Sequence, residues 1–149
     1  MIQGKWLSPG ENLEAEALPL RLAVFGRGAD DLDPLSWNAL IYDDGKPVAS
    51  GRIWWQDGAY WLDEIGVLPD HRGRRLGDLA LRLLLFKAQS HAAREVRLRC
   101  PQGTEGFFSR LGFQPVARTD TEVEMLLPGD QIDLDTCKNC KKQNCPNRK

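Results

Sequence analysis

Apolar and polar positions alternate through the middle of the chain in a way that predicts a meander. Trp37 to Tyr42 reads as one strand, Asp43-Asp44-Gly45 as a tight turn, and Pro47 to Trp55 as its antiparallel partner. Asp57-Gly58 signals a second turn, and Ala59 to Val67 is the third strand. Upstream, a short strand around Lys5 to Leu7 precedes a helix capped by Ser8 or Asn12. Its apolar positions Leu13, Ala17, Leu20 and Val24 recur at helical spacing, and Pro19 must kink or restart it. Gly26 to Pro34 is a loop by composition. Downstream, Leu68 to Arg75 is a basic, glycine-containing loop. Leu76, Leu79, Ala80, Leu83, Leu84 and Ala88 then mark one face of a helix that runs to Ala92. Glu95 to Cys100 alternates into a strand, Thr104 to Leu111 forms a short helix closed by Gly112, and Phe113 to Ala117 pairs with Val123 to Leu127.

Composition changes this picture only at the end of the chain. With 149 residues there is room for one domain with a real core. After Pro128 the sequence turns polar and cysteine-bearing, which divides it into a domain at 1–128 and a tail at 129–149. Twenty basic residues nearly balance 21 acidic ones, so the overall field favours neither nucleic acid nor an anionic membrane. No apolar run is long enough to span a bilayer, and the N-terminus lacks the basic and apolar regions of a secretory signal. A cytoplasmic setting is the expectation.

The loop between the third strand and the long helix carries the clearest chemistry. The chain turns at Pro69 and re-enters a helix through Arg72-Gly73-Arg74-Arg75-Leu76-Gly77. Amide N–H groups at a helix start face an anion, glycines let backbone approach phosphate, and arginines add cationic donors. The segment is a phosphate cradle or, in the plainer alternative, a solvated basic turn.

V-x-P-x-x-R-G-x-x-x-G, read at Val67, Pro69, Arg72, Gly73 and Gly77, resembles the coenzyme A signature of the GNAT superfamily of N-acyltransferases. Gly106 to Phe113 (GFFSRLGF) resembles that superfamily's second motif, F-Y-x-x-L-G-F. The resemblance covers roughly Trp6 to Leu127. It implies an α/β (α+β) fold with a mixed, mostly antiparallel twisted sheet, flanking helices and a splayed coenzyme cleft. It further implies acetyl-CoA held by Ile65, Gly66, Val67, Arg72, Gly73, Arg74, Arg75, Leu76, Gly77 and Asp78, with Gln102, Phe107, Phe108 and Arg110 completing the site. Three departures stand out: Arg75 where the family usually has glycine, Pro101 where many members have Asn or Gln, and Phe108 at the common catalytic tyrosine.

The implied reaction is direct acyl transfer to a small-molecule or peptide amine in a ternary complex. The amine must lose a proton, the thioester carbonyl must be polarised and the thiolate must be stabilised. By resemblance the Val67 N–H polarises the carbonyl, and the base is a carboxylate or histidine on the same strand, sometimes acting through water. Asp63 shares a face with Val67 by even spacing and is the preferred base. Glu64 points to the opposite face unless a bulge intervenes. With Phe108 unable to donate a proton, the acid is water, Tyr60, Tyr42 or Cys100. Cys100 ends its strand at the cleft mouth, where it is a reactive thiol or a small buried hydrophobe. Trp54, Trp55, Tyr60 and Trp61 form an aromatic hairpin whose exposed members could line an acceptor pocket or a homodimer contact.

The tail spaces Cys137, Cys140 and Cys145 as C-x2-C-x4-C. Three thiolates suit zinc, which needs a fourth ligand from Cys100, a histidine, water or another subunit. A disulfide switch and a disordered basic tail are the alternatives, and the lack of interleaved aromatics argues against nucleic acid. Two non-enzymatic readings compete with the transferase: a regulatory module that binds acetyl-CoA, and a metal- or redox-responsive sensor.

Overall fold

A computed structural model describes residues 1–9 and 16–134. The cysteine tail, including Cys137, Cys140 and Cys145, lies outside the described residues, as do Asn12 and Leu13 of the expected first helix. Strands β1 (Ile2–Leu7), β2 (Trp37–Asp43), β3 (Lys46–Gln56), β4 (Ala59–Val67), β5 (Glu95–Pro101), β6 (Gln114–Arg118) and β7 (Glu122–Pro128) form one seven-stranded sheet in the order β1-β2-β3-β4-β5-β7-β6. Every pairing is antiparallel except β4 with β5. The helices are α1 (Leu18–Phe25), α2 (Leu76–Ser90) and the short α3 (Glu105–Ser109). This is the mixed, mostly antiparallel architecture expected from the sequence.

Local chemistry explains the element boundaries. Asp44-Gly45 and Asp57-Gly58 both take positive φ (51° and 84°, 52° and 81°), the left-handed pair that two-residue hairpin turns require. Pro19 stands at the start of a helix: α1 begins at Leu18 with proline in its first turn, where a missing N–H costs nothing. The face of α2 is broader than its spacing predicts. Leu76, Ala80, Leu84 and Ala88 are buried, and so are Leu81 and Leu85, whereas Leu79 and Leu83 are half-buried.

The two faces of the sheet differ. Leu81, Leu84 and Leu85 of α2 join Ile53, Leu62, Val96, Leu98, Phe113 and Met125 in the main apolar core. On the other face α1 lies against β3 and β4 so closely that a Cβ on Gly66 would sit 2.7 Å from Val24 and 2.8 Å from Phe25. Only glycine lets helix and strand approach that far.

Two irregularities create the cleft. Strands β4 and β5 pair only over Tyr60–Leu62 and Val96–Leu98, although β4 continues to Val67 and β5 to Pro101. Beyond that point the parallel strands splay apart. In addition, Ser50 pairs with Gly66 but Arg52 with Asp63, so Glu64 and Ile65 together oppose Gly51. This is a β-bulge, and Glu64 within it has φ 52°.

Candidate active site

The gap between the splayed strands is a cleft of about 820 Å³. Of the residues singled out from the sequence, it brings together Asp63, Glu64, Ile65, Gly66, Val67, Arg72, Gly77, Cys100, Phe107 and Phe108. Gln102 is turned away: its side-chain amide donates to the Thr119 carbonyl, and its backbone N–H donates to that of Thr121. Arg110 lies over the Phe107 ring at 5.6 Å.

At one end of the cleft is the start of α2. No side chain caps this helix, and its first backbone bond runs from the Leu79 N–H to the Arg75 carbonyl. The N–H groups of Leu76, Gly77 and Asp78 therefore have no intrahelical acceptor. Gly77 sits beside Val67 and Phe107, at ordinary contact distance for a Cβ (3.5 and 3.6 Å). The loop before it is tied down by its arginines: Arg72 Nε donates to the Val67 carbonyl (3.1 Å) and Arg74 Nη1 to Asp43 (2.7 Å). Gly73 has φ 83°, and Arg75, at the N-cap, takes the left-handed conformation (φ 60°) where the family resemblance calls for glycine. Leu76 is buried beneath the loop, and Asp78 accepts from Arg82. Amide donors without partners, the helix dipole and nearby cations make this end fit a pyrophosphate group.

Val67 stands between the two ends. The Leu68 N–H donates to the Val48 carbonyl, and antiparallel bonding alternates, so the Val67 N–H points away from β3 into the gap.

At the other end stand two carboxylates with different fates. Even spacing predicts that Asp63 shares a face with Val67, but the bulge breaks that parity. Asp63 is opposite Arg52 and Val67 is opposite Ala49, three residues apart on β3 and hence on opposite faces. Asp63 is held by Arg52 through two bonds of 2.7 Å. Burial raises its pKa; the hydrogen bond and charge of Arg52 oppose the shift, and the negative charges of Glu64 and Asp30 add to it. Glu64 is 9% exposed. Its Oε1 accepts from Arg27 Nε (3.2 Å) and Nη2 (2.9 Å), and its Oε2 is buried with no hydrogen-bond partner.

Beneath these groups runs a buried polar network. Arg21 and Arg52, each 1% exposed, flank Asp33, itself 3% exposed, at 2.7 and 3.1 Å. Arg21 also donates to Asn38 at 2.7 Å. This network fastens the 26–34 loop to the sheet, and the sequence reading overlooked it along with Arg27. A lone arginine among the buried positions Val48–Trp54 was the available signal, because a buried guanidinium demands carboxylate partners.

The candidate acids are placed as follows. Cys100 is 2% exposed, touches Met125 Sδ at 3.9 Å, and has its pKa raised by burial. Tyr42 donates to Glu16 at 2.7 Å, and burial together with that bond pushes its pKa up to about 12. Tyr60 makes edge contacts with Trp55 and His91. Neither tyrosine lines the cleft. In the aromatic hairpin Trp54 is buried and lines the cleft, Trp61 is half-buried beside it under Arg99, and Trp55 is exposed. Among the described residues no cluster of three or more His, Cys, Asp or Glu could hold a metal, and no helix is long and apolar enough to cross a membrane.

Comparison with known proteins places this geometry in a family. A profile of the acetyltransferase (GNAT) family matches residues 5–113. An uncharacterised N-acetyltransferase of Bacillus subtilis (strain 168), YjcF, is 28% identical over 91 residues, which cover 61% of this chain and 65% of that protein. The match thus spans just under two thirds of that relative's length. The fold is similar to an acyl-CoA N-acyltransferase from Pseudomonas aeruginosa, with TM-score 0.75 and 20% identity over 85% of this chain and 99% of the other. It is also similar to a GNAT family acetyltransferase from Elizabethkingia anophelis solved with acetyl-CoA bound, with TM-score 0.69 and 10% identity over 85% and 97%.

Proposed function

The chain belongs to the GNAT family of acetyltransferases, and on that premise we propose that it transfers the acetyl group of acetyl-CoA to a primary amine, with Glu64 as the base. One observation carries this reading. The splay of β4 from β5 opens a single cleft that holds an uncapped helix start at one end and a buried, half-partnered carboxylate at the other.

The N–H groups of Leu76, Gly77 and Asp78, with Arg72 beside them, hold the pyrophosphate. Bound acetyl-CoA supplies the acetyl group and a thiolate leaving group. The Val67 N–H, pointing into the gap, donates to the thioester oxygen as negative charge gathers there. Glu64 Oε2 takes the proton whose loss frees the amine lone pair, and the proton that leaves nitrogen after attack passes to water. A buried carboxylate oxygen with no partner lacks roughly 1–3 kcal/mol of hydrogen bonding, and an incoming ammonium restores it. Asp63, already committed to Arg52, positions the bulge and takes no proton. The leaving thiolate, at the ordinary cysteine thiol pKa of about 8.5, takes its proton from water. Phe108 has none to give, and Cys100, although it lines the cleft, is buried with its thiol against Met125 Sδ.

The test is release of free coenzyme A thiol from acetyl-CoA over a panel of primary amines, with wild type, Glu64→Gln and Asp63→Asn. Glu64→Gln should lower kcat by about 10²- to 10⁴-fold while acetyl-CoA affinity stays constant. Wild-type turnover in Glu64→Gln would remove it as the base. If no amine releases thiol although acetyl-CoA binds, the transferase reading fails.

A further inference from the structure

Glu64 is satisfied on one side only, and the group on that side is a cation. Arg27 is 60% exposed and reaches from the loop after α1 to Oε1 of a carboxylate that is 9% exposed. Its guanidinium also lies over the Phe25 ring at 4.8 Å. Arg27, Phe25 and Glu64 all line the cleft. The other cations lining it are engaged elsewhere: Arg72 at the Val67 carbonyl, and Arg99 at Glu124 and over the Trp61 ring. The stem of the loop is fixed, because Asp30 and Asp33 are clamped on Arg52. Only the Arg27 side chain is free to leave without unpicking the loop.

We propose that Arg27, on Oε1, covers the side of Glu64 by which the substrate's own cation must enter, so that the acceptor reaches the buried Oε2 only by displacing it. The acceptor class that follows is a primary amine, charged in solution, with a flat apolar arm. The ammonium takes over Glu64, and the arm covers the Phe25 face that the guanidinium vacates. An ion pair this exposed on its cationic side is held weakly enough to exchange. A neutral nucleophile of the same shape has no charge to trade for Arg27 and is excluded. Arg27 is thus a specificity residue that acts by competition. This inference rests on the reading of Glu64 as the base.

The test uses 2-phenylethylamine and its neutral counterpart 2-phenylethanol, titrated against intrinsic tryptophan fluorescence, with Trp54 and Trp61 in the cleft wall as reporters. Wild type should bind the amine and not the alcohol. Arg27→Gln should bind the amine about two- to fivefold more tightly, the range of a solvent-exposed ion pair. The same factor should appear as a lower KM for acetylation and leave kcat unmoved. Arg27→Lys keeps a competing charge and should restore the weaker binding, which a merely structural role for Arg27 would not predict. Equal binding of amine and alcohol, or amine binding that Arg27→Gln leaves unchanged or weakens, would overturn the proposal. The two readings fail separately. Absence of acetylation with the competition intact rejects the transferase and upholds the displacement. Acetylation with KM and binding insensitive to Arg27 rejects the displacement alone.

Discussion

At the α2 end of the cleft the exposed polar groups are backbone amides, whereas at the Glu64 end they are side chains. The first set comes from one continuous stretch, the 68–78 loop and helix start, anchored to the sheet by the Leu68–Val48 backbone bond and the Arg74–Asp43 pair. The second is assembled from α1, the 26–34 loop, β2, β3 and β4, held in register by Arg21 and Arg52 with Asp30, Asp33 and Asp63. A backbone site tolerates exchange of most side chains around it. A buried ionic site does not, because removing one charge strands the others in a medium that solvates them poorly.

Arg52→Ala gives the largest expected effect. It leaves Asp33 with Arg21 alone and Asp63 with no cation, and should cost about 3–5 kcal/mol in urea denaturation. Acetyl-CoA affinity of the folded fraction should stay within a factor of about two, the few tenths of a kcal/mol by which distant, independent sites couple. If the affinity collapses with the stability, the two ends are one structural unit and the contrast is wrong. Next in size is Arg72→Ala with Gly77→Glu, which removes a donor and fills the backbone approach. Acetyl-CoA at a hundredfold excess over its Kd should stabilise wild type by about 2.7 kcal/mol and this variant not at all. An unchanged melting shift would displace the coenzyme site from the loop.

The same contrast decides what the sequence revealed. The meander was legible to within a residue or two, with both ends of β4 as expected, because alternation and Asp-Gly turns are local features. The loop at 68–75 and the start of α2 at Leu76 were legible for the same reason. The Glu64 end was not, since its partners are far apart in the chain: 37 residues between Arg27 and Glu64, 19 between Arg52 and Asp33. The choice of Asp63 over Glu64 rested on parity, and one inserted residue in β4 reverses parity without altering composition or pattern. Register alone shows it. The tail at 129–149 was read as a separate segment, and its cysteines lie outside the described residues.

Arg75 sharpens the comparison at a smaller scale. Its φ of 60° is a glycine conformation, and a side chain there costs about 1–2 kcal/mol, partly offset by glycine's greater freedom when unfolded. Arg75→Gly should therefore raise stability by about 0.5–1 kcal/mol and preserve acetyl-CoA binding, because the donors are amides. A lower melting temperature would show that the arginine side chain, and not the backbone, shapes the loop.

The smallest effect is one of sign, between the two partly exposed carboxylates on Arg52. The hydrogen bond from Arg52 holds the Asp30 pKa below its ordinary 3.8, against the opposing effect of burial. A lowered pKa in the folded state means stability that is present above 3.8 and lost as pH falls through the folded value. Asp63 runs the other way. Burial raises its pKa above 3.8 despite Arg52, so its contribution is fully present below 3.8 and declines as pH rises through the folded value. Asp30→Asn should therefore differ from wild type most near neutral pH, by less than about 1 kcal/mol since Asp30 is half exposed, and converge with it in acid. For Asp63→Asn, the stability of wild type relative to the variant should fall as pH rises from 3 towards 6. Urea denaturation of both variants across that range, at low salt, separates the profiles. Parallel slopes would mean that Arg52 serves the two carboxylates alike, and the distinction between a committed Asp63 and a partly solvated Asp30 would be lost.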